Sequence, residues 1–267
     1  MPSESLPWGV LALAAVGVGA WFCYRGWTLH RQRKLMENTP TDDVWHLDLG
    51  PAEITGTANA IDGETLRAPF TEESCLAAEW EIEEWDESGK HSGWETVGSG
   101  TVSVSAFEVE DETGTITVRP EGAEFDIDEH AEETIEVGGP DDPPEPVREF
   151  LASDATPGAS SQPLIEALDW GQQHGDRKYH QHLLKPSEEA YVYGTVHPRD
   201  DWEAPTRPEH MEIRKADERA EPMFLVSDRP QDELVRSRTV GLWRIPVGVV
   251  LAALGGWMLL AGLGIGV

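Results

Sequence analysis

The sequence predicts a strand-rich soluble domain, α+β or mainly β, placed between two transmembrane α-helices. Two long uncharged runs lie at the ends of the 267-residue chain, and short alternating runs typical of β-strands lie between them. We therefore expect a first transmembrane helix with its tail, a basic juxtamembrane linker, an acidic soluble domain and a second transmembrane helix, at residues 1–24, 25–40, 41–238 and 239–267.

The first apolar run, Leu6–Tyr24, contains 19 residues without a charge. At 1.5 Å per residue in a helix, this length approaches the roughly 30 Å thickness of the hydrocarbon core of a bilayer. A cleaved signal peptide would carry basic residues before its apolar run, whereas here Glu4 precedes the run and Arg25 follows it. We therefore expect an uncleaved membrane anchor.

The second apolar run, Ile245–Val267, has 23 uncharged residues. Basic residues flank both runs on the side of the soluble domain, and such residues tend to stay in the cytoplasm. We expect an integral, two-pass protein of the cell membrane, with a cytoplasmic domain and both termini outside. Four tryptophans are expected at the membrane interfaces, namely Trp8, Trp21, Trp27 and Trp243.

Small residues recur in the second run at Gly248, Ala252 and Gly256. This four-residue spacing favours close helix packing, either within the chain or in a homo-oligomer. Neither run contains Asp, Glu, Lys, Arg or His, which argues against a transporter or channel, because ion paths place such residues at membrane depth.

Alternation of apolar and polar residues predicts the strands of the soluble domain. They are expected at Ala52–Ala58, Cys75–Trp85, Thr101–Val109, Thr115–Val118, Ala190–Val196 and Met223–Ser227. Short helices are expected at Val147–Ala152 and Leu164–Trp170, and the acidic segment Glu129–Pro146 is expected to be a surface loop. The segments AEITGTA (52–58) and AYVYGTV (190–196) both carry Gly in fifth place, which indicates a degenerate internal duplication.

Acidic residues dominate the charge balance, with 50 Asp and Glu against 20 Lys and Arg and a net charge of −30. This balance excludes nucleic acid as an expected partner, because phosphate-binding surfaces are basic. At molar salt the Debye length is only about 3 Å, so repulsion among the carboxylates would be screened. We interpret the charge as the adaptation of a halophilic, archaeal protein, and an acidic docking surface is the alternative.

Three histidines, His174, His180 and His182, are weak candidates for a transition-metal site, with Asp176 among them. Their spacing matches no known zinc pattern, and histidines of a solvated loop are the simpler interpretation. We therefore expect no metal site.

The two cysteines, Cys23 and Cys75, are too few for a disulfide framework or a thiolate zinc site. Cys75 follows two glutamates that would raise the pKa of its thiol, so we expect a small buried core residue and not a nucleophile. The sequence contains no phosphate-binding Gly-Lys-Ser/Thr loop, HExxH or GxSxG motif. We expect no cofactor and no catalytic residues.

Trp80, Trp85 and Trp94 are candidate partner-binding residues, since exposed aromatic side chains anchor protein partners. Burial in the core of the domain is the alternative, because their spacing also fits inward positions on strands. Expected partners are the lipid bilayer and a protein that the sequence does not identify.

Several segments together resemble the GIDE domain, also called BAM for "beside a membrane". They are LRAP (66–69) followed by Cys75, the strand with Trp80, Phe107–Pro120, His180 with Gln181–Val196, and Pro222–Leu234. No single segment is specific, and the resemblance lies in their order between the two apolar runs. It covers nearly the whole chain.

The resemblance implies an interaction or sensing domain without catalytic residues of its own. Relatives include RING-type E3 ubiquitin ligases of mitochondria, in which a zinc-binding RING after the second transmembrane helix carries the activity. Because this sequence stops within that helix, we expect no RING and no enzymatic activity. The expected function is a membrane-anchored module that recruits a protein partner; the alternative is the substrate-binding part of a ligase system whose RING lies on another chain.

Overall fold

The structure is a computed structural model and describes residues 8–39, 41–86, 93–128, 133–138, 141–152, 176–199, 207–216 and 223–262. The chain divides into two compact units: a helical unit of Met1–Pro40 with Gln231–Val267, and a strand-rich unit of Thr41–Pro230. The predicted fold class, a strand-rich domain with an apolar helix before and after it in the chain, is confirmed.

The described residues form four α-helices: α1 (Trp8–Asn38), α2 (Glu145–Ala152), α3 (Gln231–Val240) and α4 (Arg244–Gly262). In the helical unit, α1 runs without a break through the predicted membrane segment and the predicted basic linker. Two stretches, Gly9–Asn38 and Gln231–Leu260, are long and apolar enough to cross a membrane. Helix α3 was not predicted, because its sequence QDELVRSRTV lacks an apolar stripe.

Glycines let α1 and α4 approach each other closely. A Cβ atom at Gly19 would lie 2.5 Å from the backbone nitrogen of Ala252, and one at Gly248 would lie 2.7 Å from the carbonyl oxygen of Gly19. The contact continues at Gly255, where a Cβ would lie 2.7 Å from a carbonyl oxygen of α1, whereas a Cβ at Gly256 would have no described atom within 4 Å. At 3.6 residues per turn, position 255 returns to the face of 248, and position 256 lies about 80° away. Gly248 and Ala252 therefore pack within the chain, and Gly256 lies outside this contact.

Thirteen strands are described in the strand-rich unit. They are β1 (Gly50–Ala60), β2 (Leu66–Arg67), β3 (Ser74–Cys75), β4 (Ala77–Asp86), β5 (Gly93–Ser103), β6 (Phe107–Glu110), β7 (Thr115–Val118), β8 (Glu124–Asp126), β9 (Glu133–Val137), β10 (Arg177–Leu184), β11 (Glu188–Pro198), β12 (Met211–Arg214) and β13 (Leu225–Ser227). The first sheet has the order β1-β6-β7-β12-β11-β13-β8, the second has the order β5-β4-β10-β9, and β2 pairs with β3.

The first sheet contains a closed barrel, because β1 also pairs with β11 and so joins the two ends of the run β1-β6-β7-β12-β11. Strands β1 and β11 carry the two glycine-bearing segments and lie antiparallel. The third residues of the two segments, Ile54 and Val192, lie opposite each other, and each glycine lies opposite the first alanine of the other segment. Equivalent positions of the two segments are thus exchanged by the local twofold axis of this antiparallel pair, and the duplication itself stays a prediction.

The fifth-place glycines permit close crossings in this barrel. A Cβ at Gly56 would lie 2.4 Å from the carbonyl oxygen of Glu110 in β6, and a Cβ at Gly194 would lie 2.5 Å from the Ile213 side chain in β12. A larger residue at either position would push a neighbouring strand away.

Helix α2 covers one face of the second sheet. Trp80 and Tyr179 of the sheet are buried with Val147 and Leu151 of the helix, and Phe70 completes the cluster. The ring of Phe70 meets those of Trp80 and Tyr179 edge to face, at 6.3 and 5.4 Å between centroids. Successive residues of a strand point to opposite faces, so Glu79 and the other odd-numbered residues of β4 point away from α2.

Three sequence predictions in this unit were wrong in part. The run expected at Thr101–Val109 is two strands, because β5 ends at Ser103 and β6 begins at Phe107. The segment Glu129–Pro146, expected as a loop, contains the edge strand β9. The histidines expected in a loop, His180 and His182, lie on β10. The helix expected at 164–170 lies outside the described residues.

Candidate functional site

A cleft of about 440 Å³ lies between the two sheets. Glu79, Ser99 and Thr101 line it from the second sheet, and Glu124, Phe125 and Asp126 line it from β8 of the first. We call this space the inter-sheet cleft. Its volume falls within the range of about 300–1,000 Å³ that is usual for ligand pockets.

The carboxylate of Glu79 joins the two walls of the cleft. Its Oε2 atom accepts a hydrogen bond from the backbone N–H of Ile127, at 3.1 Å, just after β8 ends. Burial raises the pKa of Glu79 from its ordinary value of 4.5 to about 7, and the nearby carboxylates of Asp126, Glu124 and Asp228 add to the rise. Glu79 therefore changes charge near neutral pH.

Arg229 supplies the positive charge of the cleft. Its Nε lies 3.6 Å from Oδ1 of Asp126, its guanidinium also lies 3.7 Å from Oδ1 of Asp128, and it donates a hydrogen bond to the carbonyl oxygen of Ile127 at 3.3 Å. Asp228 accepts the backbone N–H of Asp128 at 2.8 Å, while burial raises the pKa of its carboxyl. These contacts fix the end of β8 against the turn that follows β13.

Backbone hydrogen bonds show which groups of β5 face outward. In an antiparallel pair, alternate residues direct N–H and C=O toward the partner strand, and the residues between them direct both groups away. The N–H of Trp85 donates to the carbonyl oxygen of Asp176 at 2.9 Å, so the odd-numbered residues of β4 bond toward β10 and the even-numbered ones toward β5. Trp80 lies opposite Gly100, so Ser99 and Thr101 direct N–H and C=O away from β4. No hydrogen bond to these outward groups occurs within the described ranges.

Strand β8 is an end strand of the first sheet, as β5 is of the second. The N–H of Glu124 donates to the carbonyl oxygen of Phe224 at 2.8 Å, which orients Glu124 and Asp126 toward β13 in this parallel pair. The intervening residue, Phe125, directs its N–H and C=O away from β13. The inter-sheet cleft is therefore bounded by two end strands.

The structure places the histidine candidates in different surroundings. Nε2 of His180 lies 3.1 Å from Oε2 of Glu83, and its Nδ1 lies 3.1 Å from the hydroxyl of Thr134. His182 lines the inter-sheet cleft, with Nδ1 3.4 Å from the carbonyl oxygen of Asp128. Among the described residues no three His, Cys, Asp or Glu side chains form a group that could hold a metal ion, and His174 lies outside those residues.

The tryptophan candidates separate into one buried residue and one surface pair. Trp80 is only 2% exposed and belongs to the core under α2. Trp85 and Trp94 lie opposite each other on β4 and β5, with ring centroids 5.3 Å apart, and the Lys178 ammonium lies 4.3 Å from the centroid of Trp94. Both of these rings are partly exposed, so the surface pair alone could meet a partner.

Cys75 is fully buried, as expected. Burial raises the pKa of its thiol to about 12, against the lowering effect of Lys185. A thiol with this pKa stays protonated at neutral pH and is a poor nucleophile.

Sequence reasoning missed the residues of the inter-sheet cleft. Asp126 and Arg229 are about a hundred positions apart in the chain, and only the pairing of β8 with β13 brings them together. The small residues Gly98 and Gly100 give no signal for the cleft, because the Trp80 indole lies against both positions on the other face of the sheet.

Comparison with known proteins assigns the chain to a family. The model of the GIDE family, described as E3 ubiquitin ligase, matches residues 79–260. The matched region starts at Glu79, holds the inter-sheet cleft and extends into α4. No curated protein and no solved structure matches the chain. Because the match covers more than half of its length, the chain belongs to the GIDE family, as the order of its segments indicated.

Proposed function

We propose that the chain is a membrane-anchored interaction module that recruits a protein partner through the inter-sheet cleft. The observation that carries this proposal is the presence, in one cleft, of two end strands whose outward backbone groups face the open space. Exposed strand edges are a common means of binding another polypeptide. The module needs no catalytic residue for this role.

Exposed apolar side chains on the helices support the anchoring part of the proposal. Leu13 and Trp21 on α1 are 62% and 54% exposed, and Trp257 on α4 is 67% exposed. Contact of such side chains with lipid tails is favourable, whereas their exposure to water is unfavourable. The basic residues Arg31 and Arg236 favour a cytoplasmic strand-rich unit with both termini outside.

Photo-crosslinking in native membranes tests the recruitment. The photoreactive amino acid p-benzoylphenylalanine replaces Ser99 in the full-length chain, and a matched variant carries it at Ser105, which is exposed and does not line the cleft. We expect position 99 to give one dominant crosslinked protein at molar salt, and position 105 to give little of it. Crosslinks only to lipid, or the same products from both positions, would refute recruitment through the cleft.

A second candidate function follows from the family description as E3 ubiquitin ligase. In this case the strand-rich unit would bind the substrate of a ubiquitin-like ligase, and a RING on another chain would transfer the modifier. The crosslinked partner would then carry a ubiquitin-like conjugate that disappears when the gene for this chain is deleted. A partner whose modification state is unchanged by the deletion would exclude the ligase role and leave recruitment intact.

A further inference from the structure

We propose that the inter-sheet cleft binds an extended, basic peptide segment of the partner, which adds to the second sheet as a strand beside β5 and places a cationic side chain near Glu79. This inference rests on the proposed recruiting function and names the chemistry of the segment that is recruited.

The backbone of β5 is arranged to accept such a strand. Ser99 and Thr101 direct N–H and C=O groups outward, and both residues line the cleft. An added antiparallel strand would bond with these groups at the usual spacing of about 4.8 Å. Each residue of a strand that pairs in this way directs its N–H and C=O to the same side, so the two positions define one hydrogen-bonding edge.

The two faces of β5 differ in the space that they offer beside this edge. Gly98 and Gly100 lack side chains, and the Trp80 indole lies against both positions. A Cβ at Gly100 would lie 2.8 Å from the Trp80 ring, so no larger residue fits there without a shift of the indole. The indole therefore fills the space over the two glycines, and the open face of β5 is the cleft face, where the side chains of Ser99 and Thr101 are small.

The charge of the cleft selects the sign of the incoming side chain. Glu79, Glu81, Glu124 and Asp126 line it, against the single guanidinium of Arg229, which already lies within 3.6 Å of Asp126. A lysine or arginine from the peptide would offset this excess of negative charge, whereas an acidic segment or an anionic lipid headgroup would be repelled. The added positive charge would stabilise the ionised form of Glu79 most, because burial disfavours that form of its carboxyl group.

Three soluble probes test the two parts of the proposal on the full chain in detergent, at about 0.5 M and about 2 M KCl. The first probe is a fluorescent peptide of alternating Lys and Thr residues, which is basic and favours an extended strand. The second is the same peptide with every internal amide N-methylated, which keeps the charge and removes the N–H donors. The third is spermine, which carries positive charge without a peptide backbone. We expect the first peptide to bind at least tenfold more tightly than the second, and spermine not to displace it at equal charge concentration.

Matched variants locate the binding to the cleft. Ser99→Pro removes one outward N–H from an end strand, where proline is tolerated, and should weaken peptide binding at least tenfold. Glu79→Gln should weaken it roughly three- to tenfold, because one carboxylate interaction is lost. Glu95→Gln makes the same charge change on the exposed part of β5, outside the cleft, and should leave binding unchanged.

The outcomes separate this inference from the recruiting function. Three results would overturn strand addition and leave only charge attraction. The methylated peptide would bind as tightly as the first peptide, or spermine would displace the first peptide, or Glu79→Gln and Glu95→Gln would weaken peptide binding equally. No binding of the first peptide at about 1 mM would overturn it as well. In each case, a protein crosslinked specifically from position 99 would still support recruitment through the cleft. The absence of such a protein would refute the recruiting function itself.

Discussion

Replacing Glu79 by glutamine should stabilise the strand-rich unit, and increasingly so as the pH rises. Glu79 keeps its proton in the folded state up to about pH 7, whereas the unfolded chain releases it near the ordinary pKa of 4.5. Between these values the folded state binds more protons than the unfolded state, so the free energy of unfolding falls as the pH rises. Above about pH 7 this loss is complete. Glutamine cannot ionise, and its carbonyl oxygen can still accept the N–H of Ile127.

The size of the effect follows from the pKa. A tenfold change in a protonation constant corresponds to about 1.4 kcal/mol, so a pKa of about 7 in place of 4.5 sets an upper limit of about 3 kcal/mol at pH 8. About 2 kcal/mol of this limit develops between pH 5.5 and pH 8. Because the cleft is open to water, which stabilises the ionised form, we expect about half of each value.

Thermal unfolding of the full chain, followed by tryptophan fluorescence at about 2 M KCl, measures the effect. For a domain of this size, 1 kcal/mol corresponds to roughly 2–4 °C in melting temperature. The advantage of Glu79→Gln over the natural chain should therefore grow by about that amount from pH 5.5 to pH 8, and Glu95→Gln should show no such growth. An equal loss of stability at both pH values would refute the reasoning, because it would mean that the carboxylate is needed for its hydrogen bond and is not held in an unfavourable charge state.

Three further predictions concern the barrel, the helices and the charge. Gly56→Ala should destabilise the strand-rich unit by about 1–3 kcal/mol, since its methyl group would strike a carbonyl oxygen of β6; an unchanged midpoint of urea unfolding would contradict the close crossing. Gly255→Leu should lower the melting temperature of the helical unit in detergent, because its side chain would strike α1, whereas Gly256→Leu, whose Cβ would meet no described atom within 4 Å, should leave it unchanged; equal melting temperatures of the two variants would contradict the close contact. The melting temperature should fall when KCl is lowered from about 2 M to about 0.1 M, because the repulsion within a chain of net charge −30 is then less screened, and a constant value would refute the halophilic interpretation.

Strands with regular alternation were predictable from the sequence, and strands with inward polar residues were not. Strand β10 was missed because its fully buried position 181 holds glutamine. Its amide oxygen accepts the N–H of Phe70 at 2.9 Å, and its amide nitrogen donates to Glu133 at 2.7 Å. These hydrogen bonds offset the cost of burying the amide group. They join residues far apart in the chain, so the sequence around position 181 does not indicate them. Strand β9 was missed for a related reason, since Glu133 and Glu136 give it the composition of a solvated loop.

The inter-sheet cleft was beyond sequence reasoning because it depends on which strands end their sheets. The outward direction of Ser99 and Thr101 follows from the register between β4 and β5, and the position of β8 follows from its parallel pairing with β13. Neither pairing has a local signal. By contrast, the tryptophans were recognisable, although their sequence spacing could not separate buried Trp80 from the surface pair of Trp85 and Trp94.

The pairing of β1 with β11 also has a consequence for how the protein is made. Gly50 lies opposite Val196, so the barrel cannot close until almost the whole strand-rich unit has left the ribosome. Contacts between residues so distant in sequence slow folding, because the entropy of loop closure is lost before any contact forms. During that time β6 can already pair with the end of β1, but the edge of β1 that will meet β11 stays exposed on a nascent chain whose first apolar helix has already been synthesised. We therefore expect the pairing of β11 with β1 to be a late step in the folding of this unit.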